Sequence, residues 1–108
     1  MKTQQPILTT SILATGTIAS DRFVSFTGAQ AGAGADALGV AEVNCDIGLQ
    51  ASVNTHGILL VEAGAAIAVG ASVESDAQGR AITRTAGVVL GKALDAATAA
   101  GQRIRIIR

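Results

Sequence analysis

The stretch TGAQAGAGADALGV, residues 27–40, gathers Gly28, Gly32, Gly34 and Gly39, and its GAGADA portion fits the pattern Gly-x-Gly-x-x-Gly/Ala. In a dinucleotide-binding unit such glycines let the backbone approach a pyrophosphate. That phosphate rests on the N-terminus of a helix that follows a buried strand. The segment FVSF, residues 23–26, could supply the strand, but ADALGVAEV becomes strand-like and meets Asn44 before a helix of useful length can form. No later βαβ alternation follows. A Walker-type loop is excluded as well, because Gly91 and Lys92 run into Ala93 and not into Ser or Thr. The glycines are therefore expected to serve conformation, in a mobile or surface-exposed loop that binds no nucleotide.

The remaining reactive side chains do not converge. His56 and Cys45 are the sole histidine and thiol, and Ser52 stands four residues before His56 without a Gly-x-Ser-x-Gly elbow around it. His56, between Asn54 and Gly57, reads as a turn residue, and Cys45 as a small core or turn residue. The pairs Glu42/Asp46 and Glu74/Asp76 are spaced to share strand faces. A calcium loop needs six or more oxygen ligands in a fixed series, which ESDAQG does not supply. Both pairs are read as solvated strand ends. The expectation is a protein with no catalytic residues, no cofactor and no metal.

The elements that would position these residues are short strands. Turn signals recur about every ten residues, and between them the chain alternates with period two, as in small sandwiches and barrels. AIAVGASVE places Ile67, Val69, Ala71 and Val73 on one face. VVLGKALD separates Val88, Leu90 and Leu94 from Val89, Gly91, Ala93 and Asp95, and RIRI sets Arg103 and Arg105 against Ile104 and Ile106. GILLVEA is apolar on both sides, as suits a central strand. GKALDAATAAG has helical propensity, but a helix of that length is marginal alone, so a strand, a turn near residues 99–101 and a second strand are expected. Residues 1–21, with Pro6, Gly16 and many Ser and Thr, show no clear period and read as an extended N-terminal arm. Ile7, Leu8, Ile12 and Leu13 in that arm are candidates to pack on, or add a strand to, a neighbouring subunit.

Composition points the same way. The 108 residues include 22 alanines and 13 glycines, two Phe, and neither Trp nor Tyr. A chain this short buries only about 60–70% of its unfolded surface, and methyl groups bury little of it, so association with further copies is expected to complete the burial. A single cysteine suits a reducing compartment. The first sixteen residues lack the apolar run of a signal peptide, and no segment approaches the ~20 apolar residues of a membrane span. Net charge is zero but unevenly placed: residues 1–79 hold two bases against seven acids, and residues 80–108 six bases against one. Two readings follow: strands that pair across this divide, or copies that meet basic edge to acidic edge. Nucleic-acid binding is disfavoured, since the basic third has no aromatic ring for a base to stack on.

Taken in order, ALGVAEVNCDIGLQASVNTHGILLVEAGAAIAVGASVESDAQGRAI followed by GVVLGKALDAATAAGQRIRIIR resembles the capsid cement, or head decoration, proteins of tailed bacteriophages. The carrying features are the Gly-Val-Ala segment at Gly39–Ala41, the AGAAIAVGASV strand before an Asp-x-x-Gly turn at Asp76–Gly79, and the Leu-Gly-x-Ala-Leu strand at Leu90–Leu94. The resemblance spans roughly Arg22 to Arg108. It implies an all-β fold, a small antiparallel β-barrel or jelly-roll-like sandwich over 22–108, with residues 1–21 as the arm. It implies a structural virion protein made in the bacterial host cytoplasm, which sits on the capsid exterior and cements adjacent major capsid protein subunits. A homo-oligomer is implied, trimer before dimer by analogy with capsid three-fold positions, with no cofactor, nucleic acid or membrane. Arg103, Arg105 and Arg108 are the candidate basic contacts with an acidic capsid surface. Two alternatives stay open: a small carrier or ligand-binding barrel using Lys92, and another virion component such as a tail or connector subunit.

Overall fold

The computed structural model describes residues 4–108. It contains eight strands: β1 (Gln5–Leu13), β2 (Phe23–Val24), β3 (Gly39–Ala41), β4 (Gln50–Glu62), β5 (Ser72–Ser75), β6 (Ala81–Thr83), β7 (Gly91–Ala93) and β8 (Arg103–Ile107). They form one sheet in the order β2-β3-β4-β8-β7-β5-β6, with β1 paired to β4 beside that path, and every strand pair is antiparallel. The two ends of the path meet. Phe23 N–H donates to Gly79 O, Gly64 N–H donates to Ala81 O, and Ala63 bridges Ala81, so the sheet curls into a barrel-like body. This is the all-β class that the alternating segments imply.

The thirteen residues of β4 organise the body. At about 3.3 Å per residue the strand is roughly 40 Å long, enough to hold β1 on one edge and both β3 and β8 on the other. Ile58 is registered with Gln5 and with Ile107, and Val53 with Thr10 and with Ala41, which fixes that arrangement. Leu59 and Val61 point into the main core with Phe23, Val73, Ile104 and Ile106, all fully buried. A smaller core lies under the first half of β4 and contains Ile18, Val24, Cys45 and Val53. Nine of the 22 buried apolar residues are alanines, so the core is as thin in large side chains as the composition requires.

Several expectations need correcting. Val69 does not share a face with Ile67 and Val73. The chain turns there, with Gly70 at φ +82°, and leaves Val69 66% exposed while its two partners are buried. Val88 is likewise exposed, and Leu90 and Ala93 are both buried although period two would separate them, because the strand proper begins only at Gly91. His56 is not a turn residue: β4 runs straight through it. Gly57 is required there by close packing, since a Cβ would stand 2.6 Å from Gln5 O and 2.7 Å from Ile7 N on β1. The connection after β7 contains no helix. It turns at residues 100–101, with Gly101 at φ +90°, and returns as β8.

Candidate interaction surfaces

The glycine-rich segment forms one wall of a cleft of about 490 Å³ lined by Ala33, Gly34, Glu74, Ser75, Ile82, Thr85, Ala86 and Gly87. It lies at the surface but is pinned by the backbone: Ala31 N–H donates to Phe23 O, Gly34 N–H to Ser75 O, and Leu38 N–H to Val24 O. Gly34 and Gly87 lie backbone to backbone, and a Cβ on Gly87 would collide with Gly34 and with the Glu74 carboxylate. Glu74 is buried, and its Oε1 accepts from the Thr85 amide and hydroxyl, both at 2.9 Å. Those two bonds, the amide first, hold its carboxyl below the usual range against the opposing effect of burial. A cleft floored by an ionised carboxylate repels a phosphate. The glycines therefore allow two loops to approach each other over Glu74, and no phosphate-binding helix follows them.

The other carboxylates serve turns and ion pairs. Asp76 Oδ1 accepts from the Gln78 and Arg80 amides, and its Oδ2 pairs with Arg80 Nε at 2.9 Å. Glu42 accepts from Ser52 Oγ at 3.4 Å, while Asp46 sits in the exposed turn before β4. Among the described residues no group of three His, Cys, Asp or Glu side chains is arranged to hold a metal ion.

The structure brings the basic third of the chain against the acidic part. Arg103 Nε pairs with Asp21 at 2.7 Å and its Nη2 lies 3.9 Å from Glu62, while Arg22 pairs with Glu62 from the other side. Arg105 forms a forked pair with Asp95, at 2.9 and 3.0 Å. These partners raise the arginine pKa values further. Arg108 donates to Ala37 O at 3.3 Å; burial lowers its pKa, offset in part by Asp36. Of the two charge readings, pairing across the divide within one chain accounts for Arg80 and Arg103, while Arg105 pairs with Asp95 inside the basic third.

The segment expected as an arm has a different form. Residues 1–3 lie outside the described residues, and residues 14–21 fold into the body, with Ala14 and Ile18 buried. Between them β1 pairs with β4 of its own chain from Gln5↔Ile58 to Leu13↔Gln50, with register shifts on either side of Leu8. Buried Asn54 fixes that register by accepting from Thr9 Oγ1 at 2.7 Å and donating to Gln4 Oε1 at 3.2 Å, and Thr55 Oγ1 donates to Leu8 O at the irregularity. Yet most side chains of β1 stay in solvent: Ile7, Leu8 and Leu13 are exposed, and only the half-buried Ile12 packs against the smaller core. No charged residue occurs in QPILTTSIL, and its outer edge has no strand beside it among the described residues.

Sequence reasoning missed a second apolar surface. Phe26, Ile47 and Leu49 are exposed, and the chain assembles them beside Leu13. Ala14 N–H donates to Leu49 O, Gly48 N–H donates to Ala14 O, and Thr15 N–H donates to Gly28 O, at the end of the turn that displays Phe26. These residues are dispersed over the chain, so no local period reveals them. The only available signal was that one of two phenylalanines sits in a turn.

A family model described as phage cement protein matches residues 1–108. Among curated proteins no sequence matches. A solved structure, the crystal structure of the head fiber gp8.5 N base in bacteriophage phi29, superposes with a TM-score of 0.77 at 21% identity. It covers 93% of this chain and 92% of its own. At that identity the likeness speaks for the fold.

Proposed function

Because the chain belongs to the phage cement protein family, a family of structural virion proteins, we propose that it attaches to the outside of an assembled capsid and cements adjacent major capsid protein subunits. The observation that carries this reading is β1: a nine-residue strand, held in register by Asn54, with no charge, its side chains in solvent apart from the half-buried Ile12, and one edge unpaired among the described residues. Exposed edges are normally guarded by charges, bulges or covering loops, because they recruit further strands. Here the irregularities beside Leu8 guard only the N-terminal part, and Thr9–Leu13 offers an open ladder. Ile7, Leu8, Ile12 and Leu13 are the proposed contacts. Arg103, Arg105 and Arg108 are proposed as secondary contacts; Arg103 keeps a side-chain exposure of 48% beside its acidic partners, so it offers hydrogen bonds more than net charge.

The neighbour's description as the base of a head fiber supports attachment to the head over a tail or connector position. The protein is proposed to be made in the host cytoplasm and to act as a homo-oligomer without catalysis or cofactor. Binding only the assembled lattice stabilises that lattice by mass action, and several linked contacts raise the effective concentration of each. The test is to purify the parent particles with and without this chain. Stoichiometric, lattice-ordered copies on the exterior, and earlier DNA loss on heating when it is absent, are expected. Particles that withstand heat and osmotic shock equally well without it overturn the cementing role.

A further inference from the structure

The open edge of β1 stops at Leu13. Ala14 donates its amide to Leu49 O and accepts from the Gly48 amide, so its backbone groups face the β4 side. Backbone groups alternate in direction along an antiparallel strand, which turns the Leu13 carbonyl and the Thr15 amide toward the outer edge. There they meet the turn of residues 25–28. Thr15 N–H donates to Gly28 O and Thr15 Oγ1 to Thr27 O, both at 3.0 Å. Gly28 has a φ of +92°, and a Cβ on it would collide with Leu13 O. The turn itself is closed by Gly28 N–H on Ser25 O and Ser25 N–H on Ala29 O. Phe26 is therefore mounted on the end of β1 by its backbone, and it stands 61% exposed.

The charge around this end has one sign. Leu13 is registered with Gln50 and Ser11 with Ser52, and because Ala51 and Val53 are buried, Gln50 and Ser52 share the outward face with Leu13 and Ser11. Ser52 Oγ donates to Glu42 at 3.4 Å, which sets Glu42 beside that face, and Asp46 is exposed in the turn that displays Ile47 and Leu49. Among the described residues neither carboxylate takes part in an ion pair. The segments 10–15, 25–30 and 42–50 that build the surface contain no Lys or Arg. An exposed aromatic among aliphatic side chains, inside a polar rim, is the anatomy of a binding anchor. A turn already held by its backbone also loses little freedom on docking.

We propose that Phe26 anchors the capsid contact, and that the occupant of the Phe26–Ile47–Leu49 surface is a face of the major capsid protein with an apolar pocket edged by Lys or Arg. Two observations select this occupant: the surface is continuous with β1 at Leu13, and its uncompensated carboxylates favour a cationic partner. The inference rests on the β1 attachment proposed above and adds to it the centre of the contact and the sign of the partner's charge. A capsid strand added along β1 from Thr9 runs into the turn of residues 25–28 at Leu13, so the turn that carries the anchor also fixes where that strand must end.

The test is attachment of the full chain to particles that lack it, with the mass of the free protein followed by sedimentation. Phe26→Asp should weaken attachment about thirtyfold while the urea midpoint stays that of the wild type. Val69→Asp, at a comparably exposed position (66%) in the turn before β5, should leave attachment unchanged. E42K/D46K should weaken it several-fold, and E42Q/D46N should remove most of its dependence on salt. Wild-type attachment by Phe26→Asp, or tighter attachment by E42K/D46K, overturns the proposal. So does a change in the free protein's mass on Phe26→Asp, which would mean that a second copy covers the surface. Attachment that Phe26→Asp leaves intact refutes this inference alone, whereas a wild type that ignores the particles refutes the cementing reading and this inference with it.

Discussion

Along β4, the half from Ile58 to Glu62 pairs with β8 and sends Leu59 and Val61 into the main core. The half from Gln50 to Gly57 carries β1, a strand paired from Gln5 to Leu13 with register shifts beside Leu8, whose side chains other than the half-buried Ile12 stay in solvent. The contrast separates two contributions that usually coincide in a sheet. Each ladder hydrogen bond adds about 1 kcal/mol net, whereas truncating a buried leucine costs about 2–5 kcal/mol. The β8 side of the strand stabilises the fold. The β1 side is held in place by backbone pairing and the Asn54 bonds, and its apolar side chains remain available to a partner.

The largest test of that contrast is Leu59→Ala, which should lower unfolding free energy by about 2–5 kcal/mol in urea titration. A loss no greater than that from Ile7→Ala would erase the distinction. Asn54→Leu removes the bonds to Thr9 and Gln4 and should cost about 1–3 kcal/mol. Amide exchange should accelerate across Gln5–Leu13 while β8 keeps its protection; equal acceleration in both would mean that the two halves open together. Glu74 gives a pH-dependent test outside both halves. Its folded pKa is depressed below 4.5, so its contribution is present in full above that value and is lost as pH falls through the folded pKa. From about pH 5 downward, Glu74→Gln should therefore show a flatter fall in urea midpoint than the wild type. The smallest change in stability is expected for Ile7→Ser, within about 0.5 kcal/mol, with a several-fold loss of particle attachment as its separate readout. Unchanged attachment would mean that β1 is not the contacting strand.

The same contrast explains what could be read from the sequence. RIRI alternates because β8 has one buried face, with Ile104 and Ile106 inside and Arg103 outside. GILLVEA is apolar from Ile58 to Val61 because Leu59 and Val61 face the core while Ile58 and Leu60 are half-buried on the other face. QPILTTSIL shows no period because alternation records burial of one face, and of β1 only Ile12 packs against the body. Its pairing with β4 depends on Asn54, forty-five residues from Thr9, which local patterning cannot reveal. Asn54 and Gly57 looked like turn formers for the same reason: a buried amide clamp and a close strand approach use the residue types that turns use. Val69 failed because two residues beyond Ile67 the chain turns instead of extending. The contacting surfaces were legible only in part. Leu13 was visible as an apolar residue in an uncharged segment, but its neighbours Phe26, Ile47 and Leu49 come from distant loops.

The antiparallel pairing of β1 and β4 also determines how the molecule responds to force. Tension applied to β1 along its own axis, with the body held through β8, slides one strand past the other. The rungs from Gln5↔Ile58 to Leu13↔Gln50 are then strained together, and rupture requires many of them to fail at once. Tension at right angles to the strand opens the same ladder one rung after another and needs far less force. A swelling shell that drags neighbouring subunits apart along the direction of β1 would meet the stiff axis of this domain, and the same protein rotated by a quarter turn would peel away.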